Sequence, residues 1–285
     1  MILKLILIKF VKTSQSNDMI DLKTNNKTII GMIHIGALPG TPKNNLSIKK
    51  IVEQAIYETE IYLACGIDSI LLENMHDIPY LKCKAGAEIV ASMTAVSVEL
   101  RKLTTKPIGI QILAGANKEA LAVAQAAELD FIRAEGFVFG HLADEGYMDS
   151  CAGELLRFRK MIGAESIAIF TDVKKKHSSH AITSDVTLEE TITAAEFFLS
   201  DGIIITGTST GKEASLDDVK KAFYSTKLPV IVGSGITVEN ISTYWNFADA
   251  FIVGSYFKKD GGWKNGVEKD RVACLIEKAQ LLRAK

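Results

Sequence analysis

Pro229-Val230-Ile231-Val232-Gly233-Ser234-Gly235-Ile236-Thr237 and, a little further on, Ala250-Phe251-Ile252-Val253-Gly254-Ser255 decide how this chain folds. Each is a short apolar, β-branched run that closes on a Gly/Ser turn. Glycine lacks a Cβ, so such a turn lets backbone come close to a ligand. Its bare N–H groups, followed by a helix start, suit an anion. Two such units in succession near the C-terminal end match the seventh and eighth strands of a (β/α)₈ barrel, where phosphate groups bind. The plainer alternative is that the glycines only make tight strand-to-helix connections. The phosphate reading takes Gly233, Ser234, Gly235, Gly254 and Ser255 as phosphate contacts. Gly207, in the Thr206–Gly211 loop, joins them.

Working back toward the N-terminus, six more short apolar runs precede these two: 28–35, 69–73, 108–113, 131–134, 167–172 and 203–206. Helical patterns separate them, with Ser47, Asn117, Thr187 and Ser215 as caps. Strands alternating with crossovers of this length are parallel. An open doubly wound sheet would carry its Gly-rich turn after the first strand; here the Gly-rich turns come last. The expectation is one α/β domain, a single (β/α)₈ barrel over residues 28–285, preceded by an extension over 1–27.

That extension begins MILKLILIKFVK, which is apolar but broken by Lys4, Lys9 and Lys12. It has no small-residue cleavage site and no arginine, so neither a secretory nor a mitochondrial leader is well formed. It is read as an added segment that folding does not need, with a cytoplasmic or mitochondrial location. A net charge of -1 gives no argument for nucleic acid or a membrane surface as partner. No apolar run approaches the ~20 residues of a membrane span. Cys65, Cys83, Cys151 and Cys274 are scattered and read as reduced thiols.

Barrel sites lie at the C-terminal ends of the strands. That places His34, Glu73, Gln111, Arg133, Glu135 and Asp172 at the mouth. Asp172, Glu73 and His34 are the catalytic candidates. Arg133, Glu135, Lys174 and His177 are the substrate contacts. Each has a plainer reading: Glu73 paired with Arg133, Asp172 with Lys174 or Lys176, His34 in the core, His177 in a solvated loop. Glu73 and Asp172 are expected to converge as an acid/base pair or as ligands of a divalent metal, which takes oxygen donors. The chain has no nucleophile elbow, Walker A loop or early G-x-G-x-x-G.

Several stretches together resemble the BtpA/SgcQ family. They include Gly31-Met32-Ile33-His34 with Ala37-Leu38-Pro39-Gly40, Leu72-Glu73-Asn74, Phe131-Ile132-Arg133 and Asp172-Val173-Lys174 with Lys176-His177. Val232-Gly233-Ser234-Gly235 and Ile252-Val253-Gly254-Ser255 complete the match, which runs from about residue 28 to the C-terminus. Ala134-Glu135-Gly136 and Ala143-Asp144-Glu145-Gly146 are closer to the animal and protist branch than to the cyanobacterial one. The resemblance implies a TIM-type barrel, a link to photosystem I biogenesis for the cyanobacterial namesake, and no assigned reaction. Three functions follow as expectations. The first is an enzyme acting on a small phosphorylated compound such as a sugar phosphate or nucleotide. The second is an oxidoreductase binding FMN, which the same two turns would serve. The third is a non-catalytic assembly factor. Self-association into a homo-oligomer is compatible with each.

Overall fold

The structure, a computed structural model, describes residues 19–23, 26–207 and 209–285. Eight parallel strands close into a barrel in chain order. They are β1 Thr28–His34, β2 Ser69–Glu73, β3 Ile108–Gln111, β4 Phe131–Ala134, β5 Ala168–Asp172, β6 Gly202–Thr206, β7 Val230–Gly233 and β8 Ala250–Val253. The helices between and after them are α1 Ile48–Ala64, α2 Ala87–Arg101, α3 Asn117–Ala126, α4 Ala152–Met161, α5 Leu188–Phe197, α6 Leu216–Ser225, the single turn α7 Ile241–Tyr244, and α8 Lys269–Arg283. The (β/α)₈ expectation holds. Among the described residues no helix is long and apolar enough to cross a membrane.

Side chains alternate across the strands. One set (Ile29, Ile33, Ile70, Leu72, Ile110, Ile132, Ile169, Ile203, Val232) packs outward into the helical layer. The other (Ile30, Met32, Leu71, Phe131, Phe170, Ile204, Ile231, Ile252) fills the barrel. The Phe131 and Phe170 rings lie 5.3 Å apart. They occupy the space beside Gly109 and Gly202, where an added Cβ would come within 2.1 Å and 2.7 Å of a ring. Those glycines are needed for packing, and a side chain there would overfill the barrel.

The bottom of the barrel carries a repeat that alternation alone does not reveal. An aspartate stands immediately before each even-numbered strand: Asp68, Asp130, Asp201 and Asp249. Each carboxylate accepts the N–H of a residue at the start of the preceding strand, Ile29, Ile108, Ile169 and Val230, at 2.7–2.9 Å. Each aspartate's own N–H returns a bond to that residue's carbonyl. A cation accompanies each: Arg283, Arg101, Arg159 and Lys27 respectively. The barrel is therefore stitched in four two-strand units at the end opposite the site.

The boundary expected at residue 28 shifts. Residues 1–18 lie outside the described residues, but Leu22 is buried and joins the barrel-filling cluster, with Met19 and Ile20 packed against it. The polar composition of 13–27 hid this, because only three apolar residues make the contact. Leu22→Ala is expected to lower stability by about 2 kcal/mol, through lost burial and a cavity that partly relaxes. A urea midpoint unchanged from wild type would show that this segment does not plug the barrel.

Candidate active site

Register sets the first row of the mouth. His34 on β1 pairs with Glu73 on β2, and Glu73 with Gln111 on β3. All three are buried. His34 Nδ1 lies 3.0 Å from the carbonyl of Trp263. A carbonyl only accepts, so Nδ1 carries the ring proton and Nε2 is left as an acceptor. Burial first, and the Lys258 charge second, hold the imidazole pKa well below its usual value. The approach of Nε2 to Glu73 Oε2 at 3.5 Å is thus not an ion pair at neutral pH. Nε2 is left to accept from a ligand donor in the cavity it lines.

Arg133 and Asp172 form the second element. Nε donates to Oδ1 at 3.0 Å and Nη2 to Oδ2 at 2.9 Å, with both side chains buried. Both carboxylate oxygens are therefore engaged by one guanidinium fork. The partner is Arg133, neither of the lysines considered from sequence, and the fork occupies both Asp172 oxygens. The metal set of Glu73, Asp172 and a histidine is not gathered, and among the described residues no other group of three or more such side chains is placed to hold an ion.

Glu135, one residue beyond β4, is the third. Its Oε1 accepts from Gln111 Nε2 at 3.1 Å, while Oε2 is buried without a hydrogen-bond partner. Burial pushes its pKa up to about 7, with the Lys175 ammonium 3.8 Å away acting in the opposite sense. The long loop after β4 folds into a hairpin, His141–Ala143 against Gly146–Met148, and Ser178–Ser179 from the next loop adds a third strand. Sequence reading left this as loop. It carries Glu145 to within 3.4 Å of Lys175 Nζ. His141, in the hairpin, has its pKa lowered to about 4 by burial first and by His180 second.

Two adjoining cavities fill the mouth. The first, about 290 Å³, is lined by Gly211, Ser234, Gly235, Ile236, Gly254 and Ser255, and by Arg271. His34, which lies against Gly254, and Glu73, Arg133 and Lys176 line it as well. The second, about 270 Å³, is lined by Tyr80, Glu135, Glu145, Lys175 and His177. Glu73, Met75, Lys176, Thr210 and Trp263 line both. His177 closes the second from above: its Nε2 accepts the Thr210 N–H at 3.1 Å, tying the loops after β5 and β6. Burial, and the Lys176 charge after it, lower the His177 pKa.

Some sequence expectations are redirected. Lys174 is exposed and donates to the Val186 carbonyl at 3.3 Å, away from both cavities. The room that Gly235 provides is taken by protein: at φ +68°, a Cβ would sit 2.5 Å from the Lys212–Glu213 backbone. Gly207 likewise faces the Lys212 carbonyl at 2.2 Å, and its N–H goes to Ser234 Oγ. Glycine here packs the β6 and β7 loops together. The turn's N–H groups are another matter. Among the described residues those of Gly235 and Ile236 have no acceptor. In the turn after β8 the first N–H bonded is that of Phe257, to the Gly254 carbonyl, which leaves those of Ser255 and Tyr256 outside it.

Three lining residues were missed as site residues. Trp263 reaches over from the β8–α8 loop, its ring 6.1 Å from His34 and 5.1 Å from His76. That loop is pinned by a buried pair, Lys258 Nζ to Glu58 Oε2 at 2.7 Å. No sequence signal marks Trp263. Arg271 had one: it lies in the first turn of α8, where the helix dipole disfavours a cation. Its guanidinium sits over the Tyr256 ring, 4.5 Å from the centroid. Lys176 was named from sequence only as a possible partner of Asp172 and within the family motif.

Fold and mouth together define a (β/α)₈-barrel protein with polar side chains gathered at the C-terminal strand ends. More narrowly, the BtpA family model matches residues 25–281, and the chain belongs to the BtpA family. An uncharacterized mitochondrial protein of Caenorhabditis elegans is 46% identical over 92% of this chain and 96% of its own. The photosystem I biogenesis protein BtpA of Synechocystis is 32% identical, over 91% and 90%. Among solved structures, a thiamine phosphate pyrophosphorylase from Pyrococcus furiosus superposes with TM-score 0.57 at 14% identity, covering 92% and 99% of the two chains. A geranylgeranylglyceryl phosphate synthase from Thermoplasma acidophilum, solved with sn-glycerol-1-phosphate, gives 0.57 at 15%, covering 90% and 94%. At such identities the likeness concerns the fold.

Proposed function

We propose that this protein is an enzyme acting on a small phosphorylated compound by proton transfer. The observation that carries the reading is the first cavity. Turn N–H groups that have no acceptor among the described residues line it together with Arg271, His34, Glu73 and Lys176. Phosphate held by those N–H groups would fix the rest of the molecule against His34 and Glu73 in the same cavity, and positioning of this kind supplies much of catalysis. Glu135 would pass the proton, since a group titrating near 7 serves as acid and as base. Asp172 would orient Arg133. The names of the two barrel neighbours, both phosphate-ester enzymes, support the class. The worm relative's name supports a mitochondrial place of action. The Synechocystis name favours an assembly role instead. Against that role stands the buried Glu135 Oε2, which takes no hydrogen bond and has only the Lys175 ammonium 3.8 Å away, an arrangement that gives a scaffold little.

Inorganic phosphate is the test. Bound only to the folded state, it should stabilise by about 2.7 kcal/mol at 100 times Kd, roughly 5 °C in melting temperature for a chain of this size. Chloride at equal ionic strength is the control for general salt effects. Ser255→Pro, which removes one N–H from the turn after β8, should cut the gain. Gly235→Val cannot serve, because its Cβ meets backbone and the fold would fail first. Equal gains in phosphate and chloride, or in wild type and Ser255→Pro, would remove the phosphate site. A yellow purified protein would favour the flavin reading.

A further inference from the structure

The three lysines that follow β5 have three different surroundings. Lys174 is exposed and bonded to a backbone carbonyl. Lys175 is buried between Glu145 and Glu135, with its Nζ 3.4 and 3.8 Å from their carboxylates. Lys176 lies where the two cavities join and lines both. Among the described residues it makes no ion pair, although Glu73, Asp172 and Glu135 all bear on it electrostatically. The first cavity has another cation, Arg271, stacked on Tyr256 in the turn after β8, so Lys176 is not required to hold a phosphate there.

We propose that Lys176 is a catalytic nucleophile whose ε-amine condenses with the carbonyl of a phosphorylated aldehyde or ketone. The proposal rests on the phosphorylated-ligand reading and narrows it to a carbonyl compound. A cavity-facing amine that makes no ion pair among the described residues is the arrangement an imine-forming lysine needs. Burial lowers the lysine pKa, with the Glu73 carboxylate opposing, and this raises the neutral fraction.

The step balances without a further reagent. The nitrogen lone pair attacks the carbonyl carbon, a C–N bond forms, and the C=O π pair moves to oxygen. The nitrogen gives up a proton to Glu73 or Glu135, which line the cavities with it, and the oxygen gains one, giving a carbinolamine. Protonation of that hydroxyl and loss of water break the C–O bond and leave the imine. Overall, amine and carbonyl give imine and water. The imine then draws electrons from the adjacent carbon, so its C–H is more readily deprotonated by the same carboxylates.

Borohydride trapping tests this on the full chain. Protein is incubated with dihydroxyacetone phosphate, reduced with sodium borohydride, and read by intact mass and peptide mapping. One adduct on the peptide carrying Lys176 is expected, with loss of label in Lys176→Arg. That variant keeps the cation, so its melting temperature and its response to inorganic phosphate should match wild type. Unphosphorylated dihydroxyacetone separates the two ideas. Label at Lys176 from both probes with equal efficiency supports the nucleophile and removes the phosphate site. Phosphate-specific stabilisation without label from either probe overturns the nucleophile and leaves the phosphate site standing. Label scattered over surface lysines, or retained in Lys176→Arg, also overturns it.

Discussion

Replacing Arg133 with Met is expected to lower stability by roughly 3–5 kcal/mol, the cost of leaving a buried carboxylate without its partner. Asp172 takes both its close hydrogen bonds from Arg133, and neither side chain reaches bulk water. Removal of the guanidinium strands a charge that can only protonate or pull water inward. For a chain of this length the melting temperature should fall by about 5–8 °C. Asp172→Leu combined with Arg133→Met should recover most of the loss, because an apolar pair of similar volume replaces a buried ion pair at little cost. A loss below about 1 kcal/mol in the single variant would mean the pair is solvated like a surface bridge. Asp172 would then return as a candidate acid or base.

The barrel was legible in the sequence for a physical reason. A buried parallel strand must be apolar on both faces, so runs such as Ser69–Glu73 and Val230–Gly233 stand out as blocks. The polar residue that ends such a block has to face the mouth, which is why His34, Glu73, Arg133 and Asp172 could be named in advance. What they do there was less legible, because it depends on pairing across strands. Nothing in the order of residues assigns Arg133 to Asp172 rather than to Glu73. Gly235 was recognised as a special turn residue, yet whether its bare face meets ligand or protein is set by the Lys212–Glu213 loop folding back from β6. Trp263 lies in a loop whose path is fixed by Lys258 and Glu58, 200 residues apart in sequence. The four aspartates before the even strands were in plain view. Their meaning needs the register, since each caps the strand before its own.

Glu135→Gln is expected to change how stability depends on pH, and the sign follows from linkage. The folded pKa is about 7 against 4.5 for the ordinary side chain, so between these values the native state holds a proton that the unfolded chain has released. Stability from this group is therefore fully present below about pH 4.5 and is lost as pH rises toward 7. At 1.36 kcal/mol per unit the loss is at most about 3 kcal/mol. His34 works in the opposite direction: its folded pKa is depressed, so its contribution grows as pH rises toward 6.5. Comparing wild type with Glu135→Gln at each pH cancels that term, because His34 is present in both. Gln keeps the shape and can still accept from Gln111. Urea midpoints from pH 4.5 to 7.5 at constant ionic strength should show wild type losing stability relative to the variant, most steeply between 4.5 and 7 and levelling off above 7. A constant difference, or one that grows in wild type's favour, would show a carboxylate already ionised at acid pH under the influence of Lys175. Such a group would be a poor proton donor at neutrality, and the proton-transfer role would pass to the His34–Glu73 pair.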